Sequence, residues 1–329
     1  MIDMSSLVAQ SAPLRFPTRR LRFRASSVLR SVLSAIIALW GVLTLVFFAI
    51  LLTGNPATLL ASPSATKEQL AELTAQFGFD QSLGEQYVRF LGNIVTGNYP
   101  DSFRLSANPI DQLLAALPYT LALAAASLLI AVVLGLAVGY GAVFAGNRAL
   151  RSTPITILAA FQATPVFVIG LLLILLFSVR LGWLPTGGAR TPQSIILPAV
   201  ALSLVMAPRI AQVFRASLLQ LVDAEHVRAA TAKQISLRTV RLRHVAANSL
   251  VPVVSVIGLE LGGLLGGSVL TESLFNWPGI GAATIAAIDS KDYPVIIAAV
   301  VVIAAIFIIV NALVDLFTVR IDPRAELNL

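Results

Sequence analysis

The chain has 329 residues, of which 57% are hydrophobic and 12% are charged. Soluble domains carry charge on about a quarter of their residues, so this composition excludes an ordinary soluble protein and predicts a chain that crosses a membrane several times. The formal net charge is +7, but the basic residues flank apolar stretches, which favours a role in membrane orientation over nucleic-acid binding.

The first predicted elements are a cytoplasmic tail and a membrane-spanning helix. Residues 1–30 are polar and rich in arginine, and residues 31–53 are mostly apolar. Arginine beside a span holds that flank in the cytoplasm. The apolar stretch is longer than the hydrophobic core of a signal peptide and long enough to cross a bilayer, so we expect an uncleaved first span.

Residues 54–118 form a polar, net acidic segment that we expect on the outer side of the membrane. Two amphipathic helices are predicted within it. The first begins at a capping-box pattern over 66–69 and ends at Gly78, and the second ends at Gly97. Their apolar faces recur at helical spacing and consist of Leu70, Leu73 and Phe77 in the first helix and Tyr87, Phe90, Leu91 and Ile94 in the second.

Five further spans are predicted in a core over residues 119–318, at about 119–143, 155–179, 195–213, 250–270 and 295–318. Pro165 lies inside the third and is expected to kink it, because proline lacks the N–H of one helical hydrogen bond. Together with the first span they make six, which puts both termini, including a short tail at 319–329, in the cytoplasm. The predicted fold class is an all-α polytopic membrane protein.

The loops between these spans differ in charge. The loop after the fifth span carries Glu272, Asp289 and Asp292 against Lys291, which is typical of the outer side. The loop over 214–249 contains the longest polar interruption in the C-terminal half and is strongly basic. A basic loop between two spans is predicted to face the cytoplasm.

This basic loop is predicted to be helical. It is rich in alanine and contains no glycine or proline before Pro252. Ser236 is expected to cap a second short helix, on which Arg238, Arg241 and His244 fall along one stripe. From the residues alone, the loop also fits an interfacial helix attracted to anionic lipid.

Polar residues occur at membrane depth in the last two predicted spans. Glu260, Asn311 and Asp315 are costly in hydrocarbon, so we expect them to face the bundle interior or a water-filled cavity. Arg209, near the inner end of the fourth span, is a candidate partner for Glu260. Proton coupling and structural hydrogen bonding across helices are the two interpretations of these groups.

Glycines line two rows of the fifth predicted span at four-residue spacing. The rows are Gly258, Gly262 and Gly266, and beside them Gly263 with Gly267. Such spacing lets helix backbones approach closely, and it also leaves a smooth face that could line a translocation path, with Gly262 and Gly266 as the path candidates.

Several strings of this sequence resemble ABC importer permeases of the dipeptide, oligopeptide and nickel branch. The resemblance is carried in the basic loop by EHVRAATAKQIS and LRHVAANSLVPVVS, and elsewhere by LGNIVTGNYPDSF, FQATPVFVIGLLLILLFSVRLGWLP, ESLFNWPGIG, DYPVI and VNALVDLFTVRIDPR. It covers nearly the whole chain from Ser31 onward and implies the type I importer permease fold, similar to the first permease subunit of dipeptide systems. The chain departs from the family pattern at 53–56, where Thr-Gly-Asn-Pro replaces Pro-Gly-Asp-Pro.

In that family the basic loop is a coupling helix that sits in a cleft of the ATPase subunit and transmits its closure. The positions that the resemblance assigns to this contact are Glu225, His226, Arg228, Ala229, Ala230, Ala232, Lys233 and Gln234. The family usually has glycine at 234, where a left-handed turn costs glutamine more than glycine. The resemblance also implies the partners: a second homologous permease, two ATP-binding subunits, an extracytoplasmic substrate-binding protein and membrane lipid, with ATP and Mg²⁺ held by the ATPase subunits.

The sequence contains no phosphate-binding loop, no nucleophile with a base and no dinucleotide turn, and it has no cysteine and two histidines. We therefore expect no enzyme activity, cofactor or metal site in this chain. The predicted function is a permease subunit for ATP-driven import of dipeptides or oligopeptides. Nickel chelates, glutathione or another small solute are alternative cargoes, and an ion-driven secondary transporter using Glu260 and Asp315 as coupling carboxylates is the rival mechanism.

Overall fold

The computed structural model describes residues 25–52, 66–68, 71, 74–75 and 80–321. The principal helices of this part are α1 (Ala25–Leu52), α2 (Leu83–Thr96), α3 (Pro109–Phe144), α4 (Arg148–Gln162), α5 (Val166–Leu173, continued by a π-helical segment at Ile174–Arg180), α6 (Ile196–Leu221, preceded by a 3-10 turn at Pro192–Ile195), α7 (Glu225–Ala232), α8 (Leu237–Ser249), α9 (Val251–Leu274), α10 (Ile280–Asp289) and α11 (Tyr293–Ile321). The predicted all-α fold class is confirmed over the described residues.

Three of these helices, α3, α6 with its preceding turn, and α11, are long and apolar enough to cross a bilayer. Two bent pairs, α4 with α5 and α8 with α9, bring the total to five if each pair counts as one span. Helix α1 adds an apolar stretch at Ile36–Leu52. These segments lie where the six spans were predicted, and the number six stays a prediction.

The polar segment between the first two predicted spans is anchored on α1 by α2. Helix α2 ends at Gly97, whose φ of 71° provides the left-handed turn that glycine favours. The predicted face of α2 is half-buried, the Tyr87 hydroxyl lies 2.7 Å from Thr44 Oγ1, and the Phe47 and Phe90 ring centroids are 5.2 Å apart. The second predicted amphipathic helix of this segment is therefore confirmed, including its end, and its outer position stays a prediction.

The N-terminus of α2 carries a capping box that was not among the predicted features. Glu85 N–H donates to the Ser82 hydroxyl, while Glu85 accepts hydrogen bonds from the Ser82 hydroxyl and backbone N–H. These bonds, the hydroxyl first, hold the pKa of the Glu85 carboxyl below its usual value.

Other sequence predictions fall wholly or partly outside the described residues. Residues 67–68, 71 and 74–75 are helical, but most of the first predicted outer helix, including Gly78, is not described. The arginine-rich tail through residue 24, the departure at 53–56 and the final tail from residue 322 also lie outside.

The second and third predicted spans differ from the structure. Helix α3 begins at Pro109 rather than near residue 119, because Asn108 Oδ1 accepts the Ile110 N–H at 2.9 Å and Pro109 occupies the first turn, where its missing N–H costs nothing. The third span is not one kinked helix: α4 and α5 meet at 110°. Pro165 cannot donate a helical hydrogen bond and disfavours helical geometry in the residue before it, so the helix ends and restarts there.

The fourth predicted span is also longer than expected, since α6 continues past Val213 to Leu221. The core lies between α3 and α6, where a Cβ on Gly135 would lie 2.7 Å from Ile210 Cγ2, and one on Gly139 would lie 2.9 Å from the Ala211 carbonyl oxygen. Only glycine allows this approach, so the α3–α6 pair forms a tightly packed centre for the bundle.

Candidate functional site

The stretch to which the resemblance assigns the coupling contact contains a helix, α7, which begins at Glu225 and ends at Ala232, with Lys233 as its C-terminal cap. Val227 and Ala230 are buried, with 5% and 6% of their surfaces exposed. The other predicted contact residues are exposed, namely Glu225, His226, Arg228, Ala229, Ala232, Lys233 and Gln234. One side of α7 is thus fixed to its own chain and the other is open.

The turn after α7 is left-handed at Gln234, which has a φ of 58°. The Gln234 N–H donates to the Thr231 carbonyl oxygen at 2.9 Å, and the Ile235 N–H donates to the Ala230 carbonyl oxygen at 3.3 Å. These bonds hold the conformation that glycine would adopt more easily. The replacement of the usual glycine therefore leaves the turn intact and adds local backbone strain.

Replacing Gln234 with glycine is expected to raise the free energy of unfolding by about 0.5 to 1 kcal/mol, because removal of the left-handed penalty exceeds the entropy that glycine adds to the unfolded chain. Thermal unfolding of the detergent-solubilised protein measures the change. Lys233→Gly is the matched control, because Lys233 has a φ of −77° and gains nothing from glycine. A Gln234→Gly midpoint at or below that of the Lys233→Gly variant would contradict the strained turn.

The buried side of α7 joins the core cluster of the bundle. Val227 and Ala230 belong to the same hydrophobic cluster as Phe214 and Leu218 of α6 and Val240 of α8. This cluster is continuous with the α3–α6 interface, so apolar packing links α7 to the centre of the bundle.

Helix α8 is a second link between the basic loop and the bundle. The Ser236 hydroxyl accepts the Thr239 N–H at 3.3 Å, so the predicted cap is confirmed. The middle of α8 is π-helical at Val240–Ala246, which disturbs the regular stripe expected from α-helical spacing. The Arg241 guanidinium lies over the Phe144 ring at 5.2 Å and thereby ties α8 to the C-terminal end of α3.

Within the spans, Arg209 of α6 and Glu260 of α9 form the ion pair expected from the sequence. Arg209 donates from one terminal guanidinium nitrogen to Glu260 Oε1 at 2.9 Å. The arginine side chain is 56% exposed and the glutamate side chain is 13% exposed. The pair therefore connects two helices and leaves most of the guanidinium open.

The glycines of α9 fall into two groups, one in a close helix contact and one on an open face. Gly258 is packed against Val314, and a Cβ on Gly262 would lie 3.1 Å from Asn311 Oδ1, so both lie against α11. Gly263, Gly266 and Gly267 are exposed, with no atom within 4 Å of where a Cβ would stand. Among the path candidates, Gly266 thus lies on the open face, whereas Gly262 and Asn311 lie in a packed helix contact.

The Asp315 side chain lies outside the part of the chain that the structure describes. Among the described residues, no group of histidine, cysteine, aspartate and glutamate has the arrangement of a metal site.

Glu272 marks a site that the sequence reading missed. The sequence pattern places it among the acids of a predicted outer loop, but it has no exposed surface. Glu272 Oε2 accepts the Gly281 N–H at 2.7 Å and the Ala282 N–H at 3.3 Å, at the start of α10. The side chain thus caps α10, a helix within the stretch that the sequence predicts to be a loop.

The same corner is fastened to the N-terminal half of α3. Trp277 Nε1 donates to the Tyr119 carbonyl oxygen at 2.9 Å, and the Ile280 N–H donates to Thr120 Oγ1 at 2.9 Å. Phe275 is 1% exposed. The string ESLFNWPGIG, which carried part of the family resemblance, was the available signal for this corner, because its tryptophan, proline and glycines are typical of a constrained turn.

Asp292 is a second acid that proved to be buried, with 4% of its surface exposed. Its carboxylate accepts hydrogen bonds from the Ser102 hydroxyl at 2.5 Å and the Phe103 N–H at 3.2 Å. The segment between α2 and α3 is therefore clamped to the start of α11. The strings YPDSF and DYP, far apart in sequence, meet at this clamp.

Two family descriptions match the sequence over most of its length. Residues 131–327 match "Binding-protein-dependent transport system inner membrane component", and residues 21–124 match the N-terminal membrane component of the same systems.

Curated relatives align along almost the whole chain. The glutathione transport system permease protein GsiC of Salmonella paratyphi A is 38% identical over 299 residues, which cover 90% of this chain and 97% of the relative. The same-named protein of Escherichia coli K12 is 37% identical over 298 residues, with the same coverages.

Solved structures share the fold at lower identity. A chain of the MetNI methionine ABC transporter in an inward-facing conformation matches with a TM-score of 0.54 at 19% identity, covering 64% of this chain and 96% of its own. A chain of an amino acid ABC transporter matches with a TM-score of 0.51 at 20% identity, covering 64% and 94%.

Proposed function

The chain belongs to the family of inner membrane components of binding-protein-dependent transport systems, the permeases of ABC importers, and on that premise we propose that it forms half of the translocation path of an ATP-driven importer for glutathione or another short peptide. It is an integral, multi-pass inner-membrane protein. Its partners are ATPase and substrate-binding subunits, and we propose two ATPases, one binding protein, a second homologous permease and a cytoplasmic position for both termini.

The single observation that supports this choice of substrate is the 38% identity, along nearly the full length of both chains, to permeases named for glutathione transport. Glutathione is itself a tripeptide, so it joins the peptide class expected from the sequence. Longer or shorter peptides are the second candidate substrates, and nickel chelates or other small solutes are the third.

We propose that the exposed side of α7 inserts into the ATPase subunits. Its first turn presents Glu225, and Arg228 and Ala229 follow on the same exposed side. Charged groups around a small residue allow a close and oriented contact with a complementary cleft. The opposite side of α7 carries Val227 and Ala230 into the permease core, so the helix is suited to transmit movement.

Transport would follow from differential contact with the ATPases. A partner that binds α7 equally well in both of its states shifts no equilibrium, so closure of the ATPases must change the energy of the α7 contact. Because α7 shares a packed cluster with α6, its displacement would tilt α6 and, through the close α3–α6 interface, the rest of the bundle. Alternating access to the two sides of the membrane is the result.

The open face of α9 is proposed to line the path or to face the second permease. It carries Gly263, Gly266 and Gly267, beside the ion pair formed by Arg209 and Glu260. Glycine and charged groups at membrane depth are poorly suited to contact lipid tails and well suited to a cavity or a protein surface. In the ion-driven rival, Glu260 would have to release and rebind protons, whereas here it accepts a hydrogen bond from arginine.

A competition experiment tests the substrate. Cells that express this chain with its partner subunits are given labelled glutathione, with an excess of unlabelled glutathione, dialanine or nickel chelate. We expect uptake to be suppressed by glutathione most strongly and by the dipeptide to a lesser degree. Absence of saturable glutathione uptake, together with uptake of a labelled nickel chelate by the same cells, would contradict a peptide substrate and leave the importer assignment in place.

A further inference from the structure

Arg209 is a charged side chain with unused hydrogen-bonding capacity inside a span. A guanidinium has five N–H donors, and among the described residues its hydrogen bond to Glu260 is the sole polar contact of this group. The side chain is 56% exposed. Donors directed away from Glu260 therefore remain free for another acceptor.

The position of Arg209 determines what kind of acceptor that is. Arg209, expected near the end of the fourth span, lies near the middle of α6 because that helix continues to Leu221, and Glu260 lies near the middle of α9. Charged groups at such depth face a protein interior or a water-filled cavity, because hydrocarbon solvates them poorly. Gly263 and Gly267, one and two turns from Glu260, leave the adjoining surface of α9 open. The free guanidinium donors thus border a space without obstructing side chains.

Glu260 gives this arginine a fixed orientation. The glutamate is mostly covered and holds one terminal nitrogen at 2.9 Å, which leaves the rest of the planar fork to meet a second anion. Arginine binds carboxylates through two parallel hydrogen bonds, a geometry that lysine cannot reproduce. The negative charge of Glu260 also weakens the hold on that anion, as a transport site requires if it is to release its cargo.

We propose that Arg209 contacts a carboxylate of the transported substrate, with Glu260 as the residue that positions its guanidinium. The inference rests on the proposed function, because glutathione and short peptides carry free carboxylates. It assigns to this subunit a share of substrate selection, for acids over neutral analogues, in addition to the selection made by the binding protein.

The test uses the complete transporter, with both permeases, the ATPases and the binding protein, in proteoliposomes. Initial uptake is measured for glutathione and for glutathione with both carboxyl groups amidated. Arg209→Gln is expected to lower the ratio of free-acid to diamide uptake by about tenfold or more, the loss of one charge-assisted pair. Arg209→Lys should lower it less, because the charge remains and the fork is lost.

Arg215→Gln is the matched control, since Arg215 is also exposed on α6 but lies farther towards α7. Its uptake ratio should equal that of the wild type. If the binding protein does not deliver the diamide, a second assay replaces the uptake ratio. It measures equilibrium binding of labelled glutathione to the complex without the binding protein, and Arg209→Gln should weaken this binding by a similar factor.

Two outcomes would overturn the proposal. Wild-type ratios and glutathione binding in both Arg209 variants would exclude a substrate contact. Loss of the second permease from the purified Arg209→Gln complex would make Arg209 a subunit contact. Failure of the proposed function looks different, because the wild-type complex itself would then take up no glutathione or dipeptide.

Discussion

Replacing Glu225 with arginine is expected to release the ATPase subunits from this chain and to abolish uptake. Glu225 is exposed and is the acid in the first turn of α7, where the helix dipole favours negative charge by about 0.3 to 1 kcal/mol. A like charge placed against a complementary interface adds a larger cost. A total of about 1.4 kcal/mol or more corresponds to a tenfold or greater loss of ATPase co-purified from detergent-solubilised membranes.

Two further variants identify the cause of that loss. Glu225→Gln removes the charge without reversing it and should retain more ATPase than Glu225→Arg. Asp289→Arg makes the same charge reversal at an exposed acid of α10, on the predicted outer side, and should retain all of it. If Glu225→Arg keeps its ATPases and transports at the wild-type rate, α7 is not the coupling contact.

Truncating Glu272 to alanine is expected to destabilise the corner between α9 and α10 by on the order of 3 kcal/mol, because one buried and one half-buried N–H group lose their acceptor. The affected donors are those of Gly281 and Ala282 at the start of α10. The corner they form also holds Trp277 against α3, so α9, α10 and α3 should loosen together. Thermal unfolding of the purified complex measures the effect, and uptake should fall with it.

Asp289→Ala is the control for that truncation, because Asp289 is an exposed acid on the same short helix. Its unfolding midpoint should stay near that of the wild type. Glu272→Gln keeps one side-chain oxygen and should fall between the two. Equal midpoints for Glu272→Ala and Asp289→Ala would mean that the buried side chain contributes little to this corner.

Features with local sequence signals could be predicted well. The end of α2 at Gly97, the helical character of the basic loop and the cap at Ser236 each depend on residues within one or two turns. The pairing of Arg209 with Glu260 could also be anticipated, because a charge inside a span needs a partner and few were available.

Features that depend on tertiary packing could not be predicted from the sequence. Pro165 predicts an interruption, but the 110° angle between α4 and α5 follows from how both helices pack on the rest of the bundle. In the sequence, Glu272 and Asp292 count as charges of an outer loop. In the structure both are buried, and each accepts hydrogen bonds from groups that only folding brings next to it, the Gly281 N–H and the Ser102 hydroxyl respectively. A charge count treats every acid as solvated, so it cannot distinguish a topology signal from a structural cap.

The central claim is that partner ATPases drive import through this chain. The decisive measurement is uptake of labelled glutathione by proteoliposomes that contain the complete complex, with ATP or ADP supplied on the ATPase side and ion gradients collapsed by ionophores. We expect uptake that requires ATP and the binding protein, persists without ion gradients and is lost with Glu225→Arg. Uptake by this chain alone, driven by an ion gradient and indifferent to ATP, would contradict the account.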